Sequence, residues 1–326
     1  MPTNTTNLIA YLQNASTQSN RYISIFIFIF GVLGNILNCI VLSQGKLRTN
    51  SCSFLFLISS IASLISILSG LTSRMLAGYA VDLTNTISWL CKLRAFVLFV
   101  SRTIAAWSLT LASIDRWFSS SANSEYRKKS SLKNSCRNMY IIMLFSFMLY
   151  IQLFYCYEAN LINTPLKCYA KTVACQLASD LSYAIITIII PIMGMILFGL
   201  LTILNVQKSY RRVCIVTVTK VTKNVQNQRK RWKKADYQLL LMLIVQIILY
   251  SIFTLPQAIQ KIYSTSTETQ IKSALQTTIE NLIFNLLLLL TYFSSGMPFY
   301  IYTLCGGQIF RKASIDVIRK LCICRR

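Results

Sequence analysis

The sequence predicts an all-α membrane protein: a seven-transmembrane helix bundle with its N-terminus outside and a short amphipathic eighth helix. Three observations carry that prediction. The 326 residues are 54% hydrophobic and only 13% charged, whereas a soluble domain carries about a quarter charged residues. Mean hydropathy is +0.53. Seven apolar stretches, 23–43, 54–77, 89–117, 139–157, 181–206, 237–262 and 280–304, match the length that crosses a bilayer core, about 20 helical residues. Lysine and arginine are also placed unevenly between those stretches, which sets orientation. With the N-terminus outside, the inner segments 44–53, 118–138, 207–236 and 305–326 carry 23 of the 33 basic residues. The outer segments and helix rims, with Arg74 and Lys261 among them, carry 8, and Arg102 and Arg116 make up the rest.

The chain divides into an extracellular tail (1–22), the bundle (23–304) and a cytoplasmic amphipathic helix with its tail (305–326). The first tail is polar and holds two glycosylation acceptors, Asn4-Thr5-Thr6 and Asn14-Ala15-Ser16. Both fall on the outer side under the charge rule, an independent agreement. The first apolar run begins at Ile23 and would itself be the membrane signal. Segment two is rich in serine and carries Arg74 near its end. Segment three is the organising stretch, WLCKLRAFVLFVSRTIAAWSLTLASIDRWF from Trp89 to Phe118. Cys91 and Arg116 are 25 positions apart, which at about 1.5 Å per residue is roughly 37 Å, close to a bilayer with part of its headgroups. Segments six and seven are the most uniformly apolar. The inner loop 207–236 is basic, and the stretch 308–321 alternates apolar and basic residues as a surface helix does. Cys322 and Cys324, beside Arg325 and Arg326, are candidate lipidation sites.

Composition also excludes classes. A net charge of +24 invites a nucleic-acid reading. The basic residues, however, sit between apolar runs, where topology and anionic lipid use them. The lipid bilayer, not nucleic acid, is the expected partner. No histidine occurs, so intramembrane zinc hydrolases and Ser-His enzymes lose their chemistry. Eleven cysteines show no paired metal-ligand spacing. No enzyme activity, metal or cofactor is expected. Arg102 stands alone inside segment three, where a charge faces a cavity or a partner. It is either an anchor for a ligand carboxylate, an ion pair with Glu280, or a polar bridge between helices. Asp180 and Glu158 are candidate counter-charges at the outer rim.

Several motifs stand in a recognisable order. They are Gly34-Asn35 in segment one, Cys91 with Asp115-Arg116-Trp117 in segment three, Pro191 in segment five, Pro256 in segment six and Phe310-Arg311 after segment seven. Over about 23–321 this set resembles a divergent rhodopsin-like (class A) G-protein-coupled receptor of neuropeptide-receptor-like character. The pattern departs from the family's in places. Thr254 stands where a tryptophan is expected before Pro256, and Ser60 where segment two carries an acid. Segment seven ends Met297-Pro298-Phe299-Tyr300-Ile301-Tyr302, with neither Tyr300 nor Tyr302 at the usual offset from Pro298. Segment four lacks its tryptophan.

The resemblance implies a plasma-membrane receptor with a heterotrimeric G protein as inner partner. Arg116 would be the switch, tied at rest to Asp115 and to Asp236, and Pro256, Pro298 and Tyr302 would belong to the moving inner half. It implies a disulfide from Cys91 to Cys168, with Cys175 as the alternative and Cys156 as a possible partner for the cysteine left over. The ligand pocket would include Leu98, Arg102, Thr254 and Glu280. Leu98 at the position where amine receptors carry aspartate argues against a monoamine. The lack of lysine in 280–304 argues against retinal. A peptide is the expected ligand. The alternative class is a transporter or ion channel with Arg102 lining an anion path, although no internal repeat is found.

Overall fold

The computed structural model describes residues 2–44, 47, 49–161, 164, 166–216, 223–267, 270, 272–305, 310 and 315, with side chains omitted for 2–4, 209–216 and 223–239. Among the described residues seven helices are long and apolar enough to cross a bilayer, the pattern of an all-α multi-pass membrane protein. They are α1 (Thr5–Leu42), α2 (Ser51–Gly78), α3 (Ser88–Ser120), α4 (Leu132–Cys156), α5 (Val173–Lys208), α6 (Leu240–Ser266) and α7 (Ala274–Gly296). Each overlaps one predicted stretch. A short α8 (Pro298–Cys305) follows α7. Asp236, Asn4, Cys322, Cys324 and most of the expected amphipathic helix lie outside the described side chains.

Local chemistry sets the helix starts. Asn50 Oδ1 accepts from the N–H groups of Cys52 and Ser53 at the head of α2. Ser131, Thr172 and Ser273 cap α4, α5 and α7 in the same way. Pro256 lies inside the helix that contains α6, where it removes one backbone donor and favours a bend. In α5 a π-turn, Tyr183–Ile189, directly precedes Pro191; such turns widen a helix locally and often sit at functional sites. The predicted stretch 280–304 is two helices, because the chain breaks at Met297 before Pro298 restarts it.

The polar tail expected at 1–22 is helical instead. Pro2–Gln18 runs through a π-turn, Ser19–Ile23, into the apolar part of α1. Helix extension from an existing turn is easier than nucleation, and tertiary partners hold the added turns. Asn285 Nδ2 donates to Ser16 Oγ (2.8 Å), and Arg21 Nε donates to the Gly78 carbonyl (2.7 Å).

α3 packs against α2, α4 and α5. Thr103 Oγ1 lies 2.6 Å from Thr187 Oγ1, which in turn lies 2.7 Å from Tyr150 Oη, joining α3, α5 and α4. α1 and α7 meet at Gly31 and Gly296, where a Cβ on Gly296 would stand 2.8 Å from the Gly31 Cα. Asn35 Nδ2 spans the pair, donating to the Gly31 (2.8 Å) and Ser295 (3.0 Å) carbonyls.

One end of the bundle is covered by the segment between α4 and α5. A two-stranded antiparallel hairpin, β1 (Tyr157–Glu158) with β2 (Tyr169–Ala170), folds over it. Two disulfides hold it there, Cys91–Cys168 and Cys156–Cys175. Cys168 is thus the partner of Cys91, and Cys175, the alternative, bonds to Cys156.

Candidate functional site: a cationic cavity at the disulfide end

Beneath the hairpin lies a cavity with about 520 Å³ of empty space, part of it continuous with solvent. One stripe of α3 forms its wall. Ala95, Leu98, Phe99 and Arg102 recur at three- and four-residue spacing, so all face the same way. Tyr183 of α5, Lys261 of α6 and Phe284, Leu288 and Tyr292 of α7 close the sides. Tyr157, Leu166, Cys168 and Tyr169 form the roof.

Four cations line this space: Arg74, Arg94, Arg102 and Lys261. Among the described residues, Lys261 is the one of the four with a carboxylate in contact, forming an ion pair with Asp180, whose other oxygen accepts from Tyr169 Oη at 3.0 Å. The arginines are held by neutral groups. Arg102, 7% exposed, donates from Nη1 to Tyr183 Oη (2.8 Å) and from Nε to Ser66 Oγ (3.3 Å). Its guanidinium carbon stands 4.3 Å from the Tyr292 ring centroid, a cation–π distance. Gly70 makes that stacking possible, since a Cβ there would collide with the Tyr292 hydroxyl. Arg74 Nη1 donates to Asn285 Oδ1 at 3.3 Å, and Arg94 donates to Ser73 Oγ. Among the described residues, Arg102 Nη2 and Arg94 Nε are buried without a hydrogen-bond partner.

Arg102 is also the floor. A second cavity of about 490 Å³ lies beyond it, lined by Ser59, Ser63, Thr187, Thr254, Thr291, Ser294 and Pro298 among others. Thr254 therefore faces this deeper, hydroxyl-lined space and not the upper pocket, and its Oγ1 donates to the Tyr250 carbonyl at 2.7 Å. Leu98 lines the upper cavity as expected. Glu280 does not reach Arg102. It pairs with Lys272 at 2.6 Å and accepts from Tyr263 Oη and Gln276 Nε2. A neighbour near the helix start satisfies it more cheaply than a partner deep in the bundle. Of the three readings of Arg102, the geometry excludes the Glu280 pair and shows the interhelical bridge.

Glu158 also finds a local partner. Ser88 donates to it, and Lys92 lies 3.2 Å away. The Ser88 hydroxyl first, and Lys92 with it, hold its carboxyl below the ordinary range. Burial, and then the Asp180 carboxylate, push the Tyr157 phenol well above its ordinary value. Arg74 and Lys261, counted among rim residues from sequence, are 4% and 5% exposed inside the bundle. Their positions inside the apolar stretches 54–77 and 237–262 were the available signal. Tyr183 and Tyr292 gave none, since aromatic residues abound in such stretches.

At the opposite end of α3, Asp115 and Arg116 are both buried, but each turns to a different neighbour. Asp115 Oδ1 accepts from Ser130 Oγ at 2.7 Å. Arg116 Nη2 donates to Asn50 Oδ1 at 3.1 Å. The ion pairs between described side chains are Lys92–Glu158, Lys261–Asp180 and Lys272–Glu280. The expected Asp115–Arg116 pair is not one of them, because adjacent helix positions diverge by about 100°. Trp117 packs on Phe198 of α5, ring centroids 5.4 Å apart. Tyr302 is fully buried between Phe56 and Phe310. Asn14 is exposed on α1. No group of three or more metal-ligating side chains forms among the described residues.

No protein-family model matches the chain, and no curated protein is significantly similar to it.

Proposed function

We propose that the chain is a seven-transmembrane receptor of the rhodopsin-like, G-protein-coupled kind, lying in the plasma membrane with its N-terminus outside. The disulfide end is then extracellular and the cavity beneath the hairpin is the ligand site. The end carrying Asp115, Arg116 and Trp117 faces a heterotrimeric G protein. One observation carries this reading: α3 runs from one site to the other. Arg102 forms the cavity floor, with Cys91 bonded to Cys168 above it, and Arg116 lies at the far end of the same helix.

The mechanism follows from two joints. Lys261 of α6 is tied to Asp180 of α5 at the cavity, and Pro256 lies between Lys261 and the opposite end of α6. A ligand that changes the upper tie shifts the equilibrium of α6 about that proline. At the far end, Arg116 exchanges Asn50 for the G protein. Arg116→Ala, with surface expression intact, is expected to abolish nucleotide exchange on the G protein. Exchange unchanged from the parent chain would sink the proposal.

A second reading has one observation of its own. Arg102 lines both cavities, as a residue in an anion path would. A ligand-gated current in cells lacking G protein, lost in Arg102→Gln, would favour a channel or transporter.

A further inference from the structure

We infer that the cavity under the hairpin takes an organic dianion: one carboxylate on Arg102 at the floor, a second anionic group on Arg94 and Arg74 near the roof, and an apolar body between. The inference rests on the receptor reading only for its consequence, not for the binding itself.

Charge balance argues for it first. Four cations line one space, and among the described residues one carboxylate, Asp180, is in contact with one of them, Lys261. Asp82 is a second carboxylate near Arg74: its Oδ1 is engaged by the Thr84 N–H and hydroxyl, but its Oδ2 is buried without a hydrogen-bond partner among the described residues, so it offsets Arg74 in part and leaves Arg94 and Arg102 without a carboxylate in contact. Glu158 and Glu280 are spent on Lys92 and Lys272. Arg94 donates to Ser73, the residue next to Arg74, so two like charges share one part of the wall. Burying like charges without counter-ions is unfavourable, and a bound anion would relieve it. A cationic ligand would aggravate it.

The donors point the same way. Arg102 is more than nine-tenths buried, and its Nη2 has no partner among the described residues. Nη1 and Nε are held by Tyr183 and Ser66, which fix the guanidinium plane. A guanidinium so fixed, with one nitrogen left over, is built to meet a planar carboxylate. Arg94 Nε is likewise unpartnered. Lys261 is not the first anchor, because Asp180 already holds it.

Spacing sets the ligand's form. Arg94 and Arg102 are eight positions apart on one helix, a rise of about 12 Å. Between them the walls are Leu98, Phe99, Phe284 and Leu288. Two anionic groups joined by an apolar linker fit that order. The same pair of carboxylates can belong to a free dicarboxylic acid or to the acidic C-terminus of a peptide.

The test uses the full chain, purified into lipid nanodiscs without G protein, and reads the thermal unfolding midpoint against ligand concentration. One arm titrates unbranched dicarboxylic acids from succinate to sebacate, with their dimethyl esters and hexanoate as controls. The other titrates N-acetyl-Glu-Phe, whose side-chain and C-terminal carboxylates lie on different residues, as the free acid and as its C-terminal amide. Stabilisation by diacids and not diesters is expected if the source is a free acid. Stabilisation by the free-acid dipeptide and not its amide is expected if the source is a peptide. Arg102→Gln should weaken apparent affinity about tenfold or more, with partial rescue in Arg102→Lys. Arg94→Gln, nearer the roof, should erase the advantage of diacids over hexanoate while leaving hexanoate binding unchanged. A merely structural role for either arginine would not produce that split. Equal stabilisation by diesters, no stabilisation in either arm, or unchanged affinity in both variants overturns the inference. Intact binding without nucleotide exchange would sink the receptor reading alone.

Discussion

α3 holds two buried arginines in different ways, Arg102 midway along it beneath the disulfide end and Arg116 near its last turn. Arg102 is braced by a phenol, a serine and an aromatic face, none of them charged. Arg116 sits next to an acid in sequence, yet it donates to Asn50 while Asp115 takes the hydroxyl of Ser130. At the disulfide end the positive charge is oriented but not neutralised. At the other end Arg116 donates to Asn50 and Asp115 accepts from Ser130, hydrogen bonds to neutral side chains that a partner can displace. The difference teaches what each end is suited to do. Uncompensated charge in a cavity favours capturing an anion, and a hydrogen-bonded latch favours exchange of partners.

The comparison breaks most sharply at the lysine that does have a counter-ion. Removing one member of a buried pair leaves a charge stranded, at a cost of about 3–5 kcal/mol. Asp180→Ala strands Lys261 and should lower the unfolding midpoint more than any other change at the cavity. Arg102→Met strands no acid, because among the described residues no carboxylate contacts Arg102, so it should be near neutral or stabilising. Denaturant or thermal unfolding of the two variants in the same nanodiscs decides the matter. Equal destabilisation would mean that Arg102 has a counter-charge the geometry does not reveal.

The sequence made the helices legible and their polar interior only partly so. Length and hydropathy marked all seven spans, because crossing a bilayer admits few alternatives. Cys91 and Cys168 were paired from the family resemblance and are joined in the fold. The helical extension before Ile23 was not legible, since polar residues there carry no periodic apolar face and are held by Asn285 and Gly78 from distant parts of the chain. Nor was the fate of Glu280. A sequence shows that a lone arginine needs a partner, but not that Lys272 is nearer to the acid. The depth of Arg74 and Lys261 was readable in principle. Both lie inside the predicted spans, and treating them as rim residues hid two of the four cations.

At the opposite end the sharpening variant is Asn50. Its Oδ1 both caps α2 and accepts from Arg116. Asn50→Ala should cost about 1–2 kcal/mol and, by loosening Arg116, raise ligand-free nucleotide exchange severalfold. Asn50→Asp keeps the cap and sets a carboxylate beside the guanidinium, so it should lower ligand-free exchange below the parent level. If both variants move exchange in the same direction, Asn50 acts through the helix start and not through Arg116.

The smallest expected effect lies at the rim of the disulfide end, where a carboxylate does meet a cation in reach of solvent. Glu158 accepts from Ser88 and pairs with Lys92, and its side chain is 37% exposed. Its folded pKa is lowered by those partners, so it contributes stability above its unfolded pKa of about 4.3. That contribution is lost as pH falls through the lower, folded value. Solvent screening keeps such a surface pair below about 1 kcal/mol. The parent chain should therefore show a flat midpoint from neutral pH down to about pH 5 and a decline below it. Glu158→Gln should start slightly lower at neutral pH and decline less in acid. A parallel decline in both would assign the acid sensitivity elsewhere.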